Sequence, residues 1–137
     1  MAGIKGKNTR PELALRKELH RLGFRYRLHS RNVPGKPDMV FSASKAAIFV
    51  HGCFWHGHDC KYFRLPGTRT EFWQAKITGN RARDERVRSL LKEGGWRYIV
   101  VWECAIRGQG RNAAQTIAGK VATWLKSQKA TAEIRGN

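Results

Sequence analysis

The stretch Pro37-Asp38-Met39-Val40-Phe41-Ser42-Ala43-Ser44-Lys45-Ala46-Ala47-Ile48-Phe49-Val50 holds two short apolar runs, Met39 to Phe41 and Ala46 to Val50, on either side of Ser42-Ala43-Ser44-Lys45. Valine, isoleucine and phenylalanine suit a pleated strand, and the small and polar residues between the runs suit a turn, so the stretch is predicted to be a β-hairpin. Pro34-Gly35-Lys36-Pro37 interrupts the chain just ahead of it. Asp38 starts the first strand, and a hairpin returns it to the end of the second strand at Val50.

The neighbouring elements read outward from there. Thr9-Arg10-Pro11-Glu12 has the signature of a helix N-terminus, with Thr9 to cap, Pro11 in the first turn and Glu12 three residues after the cap. Leu15, Leu19 and Leu22 give that helix an apolar face, and Gly23 ends it. Phe24, Tyr26 and Leu28 alternate with arginines and predict a half-buried strand. Beyond the hairpin, Thr70 is placed to cap a helix through Phe72, Trp73 and Ile77, and a second helical segment runs through Val87, Leu90 and Leu91 to Gly94-Gly95. Trp96 to Val101 is almost continuously apolar and predicts a buried central strand, with Cys104 just past its end. Ile117, Val121, Trp124 and Leu125 have helical spacing, and Ser127 to Asn137 is expected to fray. This order predicts one α/β or α+β domain over residues 1–126, a mixed sheet flanked by helices, followed by a flexible tail over 127–137. Pattern alone leaves the strand order open.

Twenty-seven Lys and Arg against 10 Asp and Glu leave a net charge of +17 on 137 residues, spread from Lys5 to Lys129. A field of that sign draws polyanions, so nucleic acid is the expected partner, and Lys5, Lys7, Arg64 and Arg69 are candidate contacts to double-stranded DNA. A surface charged only for solubility is the plainer reading of the same composition. Hydrophobic residues at 41% argue against disorder. No apolar run of about eighteen residues suggests a membrane span and no basic-then-apolar stretch suggests a secretion signal, and the chain is expected to be a cytoplasmic monomer of bacterial type. Three cysteines are too few for a disulfide scaffold, and histidines crowd the first two.

Cys53, His58 and Cys60 form C-x4-H-x-C, and Cys104 can complete a Cys3His set from a distant strand end. Soft thiolates with one imidazole suit Zn2+, and four protein ligands make such a zinc structural; ordinary buried cysteines are the alternative. His51 and His56 are then left over beside the loop. With Asp38 returned by the hairpin they outline a second centre, in which Asp38 is a candidate Mg2+ ligand because hard Mg2+ prefers carboxylate and carbonyl oxygens.

Taken together, PGKPD, FVHGCFWHGHDC, TEFW, GNRARD and GWRYIVVWECAIRG closely resemble the very-short-patch-repair mismatch endonucleases, the Vsr family, from about Ile4 to Leu125. The resemblance implies a restriction-endonuclease-like fold and nicking of one DNA strand at T:G mismatches left when 5-methylcytosine deaminates. It also implies that Asp38 and the backbone carbonyl of Val50 hold Mg2+ and that His56 is the general base. His51, Glu12 and Asp84 are implied to support the metal waters and the scissile phosphate, and Phe54, Trp55 and Trp73 to insert into the duplex beside the mispair. Plainer readings remain for several of these: Glu12 as a capping carboxylate, Asp84 as a partner of neighbouring arginines, the aromatics as core. A nicking or restriction-type endonuclease without mismatch dependence, and a non-catalytic zinc-stabilised DNA-binding module, are the rival functions.

Overall fold

Met39–Phe41 (β2) and Ala46–His51 (β3) form the antiparallel hairpin, with Met39 opposite Ile48 and Phe41 opposite Ala46. A 3-10 turn over Ser42–Ser44 and a left-handed Lys45, φ 47°, close it. The computed structural model describes residues 8–136, so Lys5 and Lys7 lie outside the described residues. Among these, α1 (Arg10–Arg21) and β1 (Arg27–Leu28) precede the hairpin, and α2 (Thr70–Glu93), β4 (Arg97–Trp102), α3 (Ala113–Leu125) and β5 (Thr131–Ile134) follow it. The sheet order is β1-β2-β3-β4-β5, antiparallel through β3 and parallel from β3 to β5. Helices α2 and α3 are the crossovers that the two parallel pairs require.

Strand alternation divides the core in two. Met39, Phe41, Ala46, Ile48, Ile99 and Val101 turn towards one face, where they pack with Leu15 and Leu19 of α1 and with Ile117, Val121 and Trp124 of α3. Val40, Ala47, Phe49, Val100 and Trp102 turn to the other and meet Leu91 of α2, Cys53 and Cys104. Successive side chains on a strand point oppositely, and both faces are covered, which is why these strands read as unbroken apolar runs.

Three elements differ from the sequence expectation. Only Arg27 and Leu28 pair as strand, opposite Val40 and Met39, and both are exposed. Phe24 and Tyr26 lie outside the ladder and instead pack edge-on against the Phe41 ring at 6.1 and 5.9 Å. The two helical segments after Thr70 are one helix of 24 residues, and Thr70 lies inside it, its hydroxyl donating to Pro66 O at 2.8 Å while Arg69 takes the cap position. An interior glycine costs about 1 kcal/mol, and Gly79 does not break α2 because Ile77 and Leu91 anchor it on either side. Finally, the segment expected to fray contains β5, paired from Thr131 opposite Tyr98 to Ile134 opposite Val101. Ala132 and Ile134 alternate inward onto the core, and their pairing protects what would otherwise be an open edge on β4.

Candidate active site and metal centre

The hairpin register carries the Val50 amide to Asp38, donating to Oδ2 at 2.6 Å. Asp38 is only 7% exposed. Burial pushes its carboxyl up to about 8 against the lowering effect of the Val50 hydrogen bond, and the negative charge of Glu12 pushes the same way as burial.

Glu12, 1% exposed, reaches this point from the first turn of α1. Its amide donates to Thr9 Oγ1 at 3.4 Å and its Oε1 accepts from the Asn8 amide at 2.7 Å, so it does serve the cap. Its Oε2 accepts from Arg16 Nη1 at 3.1 Å and meets His29 Nε2 at 2.7 Å. The capping and site readings of Glu12 therefore coexist in one side chain. Glu12, His29 and Asp38 bring ligand atoms within 4.8 Å of one another, a grouping that could hold a metal ion. The sequence reading missed His29. Its only signal is the register, since Leu28 opposite Met39 sets the following residue beside Asp38.

His51 ends β3 and His56 lies in the loop that follows; their rings stack at 3.8 Å and 4°. His56 Nδ1 is 2.6 Å from Asp84 Oδ2. A carboxylate can only accept, so Nδ1 carries a proton, and in the neutral ring the lone pair is on Nε2. Burial holds His51 well below its ordinary value, with the charges of His56 and Arg88 adding to the effect, and its Nδ1 has no hydrogen-bond partner among the described residues. Asp84 comes from the inner stripe of α2, seven residues after the buried Ile77 and seven before the buried Leu91 (84 − 77 = 7; 91 − 84 = 7). Two helical turns separate each pair, so all three share a face. The arginine-partner reading of Asp84 thus gives way to a histidine partner.

Asp38, Val50, His51, His56 and Asp84 line one cleft of about 680 Å³. Trp55 and Trp73 form part of its wall, together with the exposed Phe72. Phe54 packs behind them, 4.9 Å from the Trp55 ring and 5.6 Å from that of Trp73. Arg69 also lines the cleft, its guanidinium 4.4 Å over the Phe72 ring, whereas Arg64 is exposed outside it. The loop is pinned from α2 by Asn80, which donates to Trp55 O at 2.9 Å, and by Arg81, which donates to Gly57 O. Gly57 has φ +60°, and a Cβ there would stand 2.7 Å from Ile77 Cγ2, so both conformation and space demand glycine.

Cys53, His58, Cys60 and Cys104 gather their ligand atoms within 4.8 Å of one another. Cys104 Sγ lies 3.6 Å from His58 Nδ1. A tetrahedral ion with bonds of about 2.3 Å to sulfur and about 2.0 Å to nitrogen sets the two about 3.6 Å apart, so the residues fit such an ion. Burial raises the Cys53 thiol, with the neighbouring Cys60 and Cys104 thiols adding to it, and lowers His58, where Arg135 adds to the effect. The His58 ring stacks on Trp102 at 4.0 Å, and the Cys53 amide donates to Glu103 Oε1 at 3.2 Å. Arg135, just beyond β5, donates to Asp59 Oδ1 and O at 2.8 and 2.9 Å, and the Gly136 amide to Cys104 Sγ at 3.3 Å. The segment expected to be a loose tail closes over the cluster.

No helix among the described residues is long and apolar enough to cross a membrane. The profile of the family described as DNA mismatch endonuclease Vsr matches residues 1–62. The DNA mismatch endonuclease Vsr of Escherichia coli (strain K12) is 40% identical over 134 residues, 98% of this chain and 86% of that protein. The type II nicking enzyme V.XorIIP of Xanthomonas oryzae pv. oryzae is 49% identical over 110 residues, 80% of this chain and 81% of its own. The type II nicking enzyme V.NmeAIP of Neisseria meningitidis is 44% identical over 109 residues, covering 80% and 78%. One relative is named for mismatches and two for nicking, and what they have in common with an acid-and-imidazole cleft on a basic α/β chain is the class: a DNA endonuclease. Within that class the chain belongs to the Vsr family.

Proposed function

We propose that this protein nicks one strand of duplex DNA at T:G mismatches in a Mg2+-dependent reaction, the chemistry of very short patch repair of deaminated 5-methylcytosine, on a fold of the restriction-endonuclease-like class. The observation that carries the reading is the common cleft of Asp38, Val50, His51, His56 and Asp84, in a chain 40% identical to a DNA mismatch endonuclease over nearly its whole length. Asp38 and the Val50 carbonyl are the residues to hold Mg2+, which when bound supplies positive charge to the phosphate as negative charge builds. His56 takes the proton of the attacking water at Nε2. Asp84 orients the ring through Nδ1 and stabilises the imidazolium that forms. His51, neutral and stacked on His56, fixes the plane of that ring. Glu12, behind Asp38, sets the field around the carboxylate.

Phe54, Trp55 and Trp73 are proposed to wedge into the duplex beside the mispair, with Arg64 and Arg69 on the phosphates. Unstacking costs a few kcal/mol and least at a weak mispair, so the wedge itself favours mismatched sites. Cys53, His58, Cys60 and Cys104 are proposed to bind a structural Zn2+, a closed donor set with no open position.

The test is a nicking assay on otherwise identical duplexes carrying T:G, U:G or a fully paired site, with Mg2+ and with EDTA. The expected result is EDTA-sensitive nicking of the T strand at T:G far above the paired duplex. Equal nicking of the paired duplex would favour a second reading, a sequence-specific nickase without mismatch dependence, which the 49% identity to a type II nicking enzyme supports. No cleavage of any duplex with Mg2+ would overturn both.

A further inference from the structure

We propose that His29 is a positioning residue that ties the Glu12 and Asp38 carboxylates together and so sets the affinity of the site for its divalent cation. The inference rests on the reading of Asp38 as a cation ligand. Asn8, Thr9 and Arg16, the other hydrogen-bond partners of Glu12 among the described residues, all lie in α1 or the chain just before it. Beside the direct side-chain contact of Glu12 with Asp38, His29 also joins Glu12 to the sheet: its Nε2 is 2.7 Å from Glu12 Oε2 and 3.9 Å from Asp38 Oδ1.

The backbone is built for this contact. The His29 amide donates to Asp38 O at 3.2 Å, clamping the end of β1 to the start of β2. At φ 48° the residue is left-handed, a conformation in which histidine is enriched over most residues. The side chain lies between the two acids and is 19% exposed. Against a carboxylate oxygen Nε2 is the donor, so its lone pair is not free and His29 acts on the cation through the two acids. Two buried carboxylates repel once both are ionised at a cation, and an N–H donated to Glu12 at 2.7 Å, with its ring nitrogen 3.9 Å from Asp38, holds Glu12 in place beside Asp38. Small displacements matter because Mg2+ demands near-octahedral oxygens at about 2.1 Å, and losing a hydrogen bond behind a ligand typically weakens metal binding about 10–100-fold.

The experiment uses the full chain with its cysteine cluster loaded, Mn2+ as a paramagnetic probe of the cation site, and nicking titrated with Mg2+. His29→Leu and His29→Gln share the same left-handed backbone strain and differ in the ability to donate an N–H. His29→Leu is expected to raise both the Mn2+ Kd and the half-saturating Mg2+ concentration about 10–100-fold, with the rate recovering at saturating Mg2+. His29→Gln is expected to recover most of the affinity. If His29→Leu does not fold, His29→Asn, at ease in the left-handed region but too short to reach Glu12, takes its place. Unchanged Mn2+ affinity in His29→Leu, or His29→Gln as weak as His29→Leu, would overturn the proposal. Asp38→Asn separates the two levels: it must lose Mn2+ binding, and if it binds as the unmodified chain does, it is the cation site at Asp38 that fails.

Discussion

As the proposed Mg2+ ligand, Asp38 is under opposing demands. Burial pushes its carboxyl up to about 8, whereas a cation ligand must be ionised. Cation binding therefore releases a proton, and apparent Mg2+ affinity should rise with pH until about 8 and then level off. Without the cation the sign reverses. The folded chain keeps a proton that the unfolded chain gives up near the ordinary value of 3.8, so the contribution of Asp38 to stability is full below that value and declines as pH rises towards about 8. The slope is at most about 1.4 kcal/mol per pH unit. Melting of Mg2+-free protein and of Asp38→Asn, compared from pH 5 to 8, should show the variant gaining steadily on the parent; a flat difference would mean that Asp38 is ionised throughout. His56 makes a separate claim. A positioned general base contributes about 10²–10⁴-fold, so in the role proposed for His56, His56→Ala should lower the single-turnover nicking rate by that factor while duplex affinity stays put. A loss of affinity to match would make His56 a DNA contact instead.

At the scale of elements, what the sequence disclosed was decided by how local the cause was. The hairpin was legible because its strands, its turn and the placement of Asp38 all lie within residues 37–50. The cysteine cluster was legible from the C-x4-H-x-C spacing, since three thiols and an imidazole suit a metal site and Cys104 is the remaining cysteine. Helix α2 was half legible: Ile77, Asp84 and Leu91 repeat at seven residues, but Gly79 and a run of arginines hid the continuity of the inner stripe. His29 and β5 were hidden because each depends on a partner distant in the chain. Thr131-Ala132-Glu133-Ile134 has a strand period but almost no apolar bulk, and only β4 makes it a strand. That difference can be measured. Ile134 is half-buried against the core, so Ile134→Ala should cost about 1–2 kcal/mol in urea unfolding, less than the roughly 2–5 kcal/mol of a fully buried site and more than the near-zero effect of a frayed tail. Cys104→Ala tests the other end of the same clamp. Apparent binding of structural zinc is about 10 kcal/mol or more, comparable with the stability of a whole domain, so with the proposed zinc at the cluster the variant should lose bound metal and melt far below the parent or fail to fold.

Across the whole molecule charge is divided by role. Among 10 acidic residues, Asp38 and Asp84 line the cleft and Glu12 stands behind Asp38, while Lys36, Arg69, Lys76, Arg83 and Arg88 line the same cleft with the opposite sign. Composition disclosed the net +17 and hence a polyanionic partner, but the position of the basic side chains around the acids follows from the register of α2 against the sheet, which no local pattern encodes. The arrangement makes a quantitative demand on binding. Each phosphate neutralised releases a counterion, so the logarithm of the duplex association constant should fall linearly with the logarithm of salt concentration, with a slope of about −0.9 per contact; six to ten contacts lose about 10³–10⁵ in affinity between 50 and 200 mM salt. Lys76, exposed on α2 beside the cleft, is the residue on which to test the point. Lys76→Ala should reduce the magnitude of that slope by about one and weaken T:G and paired duplexes by the same factor, because a phosphate contact positions the DNA without reading it. An unchanged slope would remove Lys76 from the interface, and a slope near zero in the parent chain would leave the +17 as a solubilising charge, with the aromatic wall and not the electrostatic field as the main source of affinity.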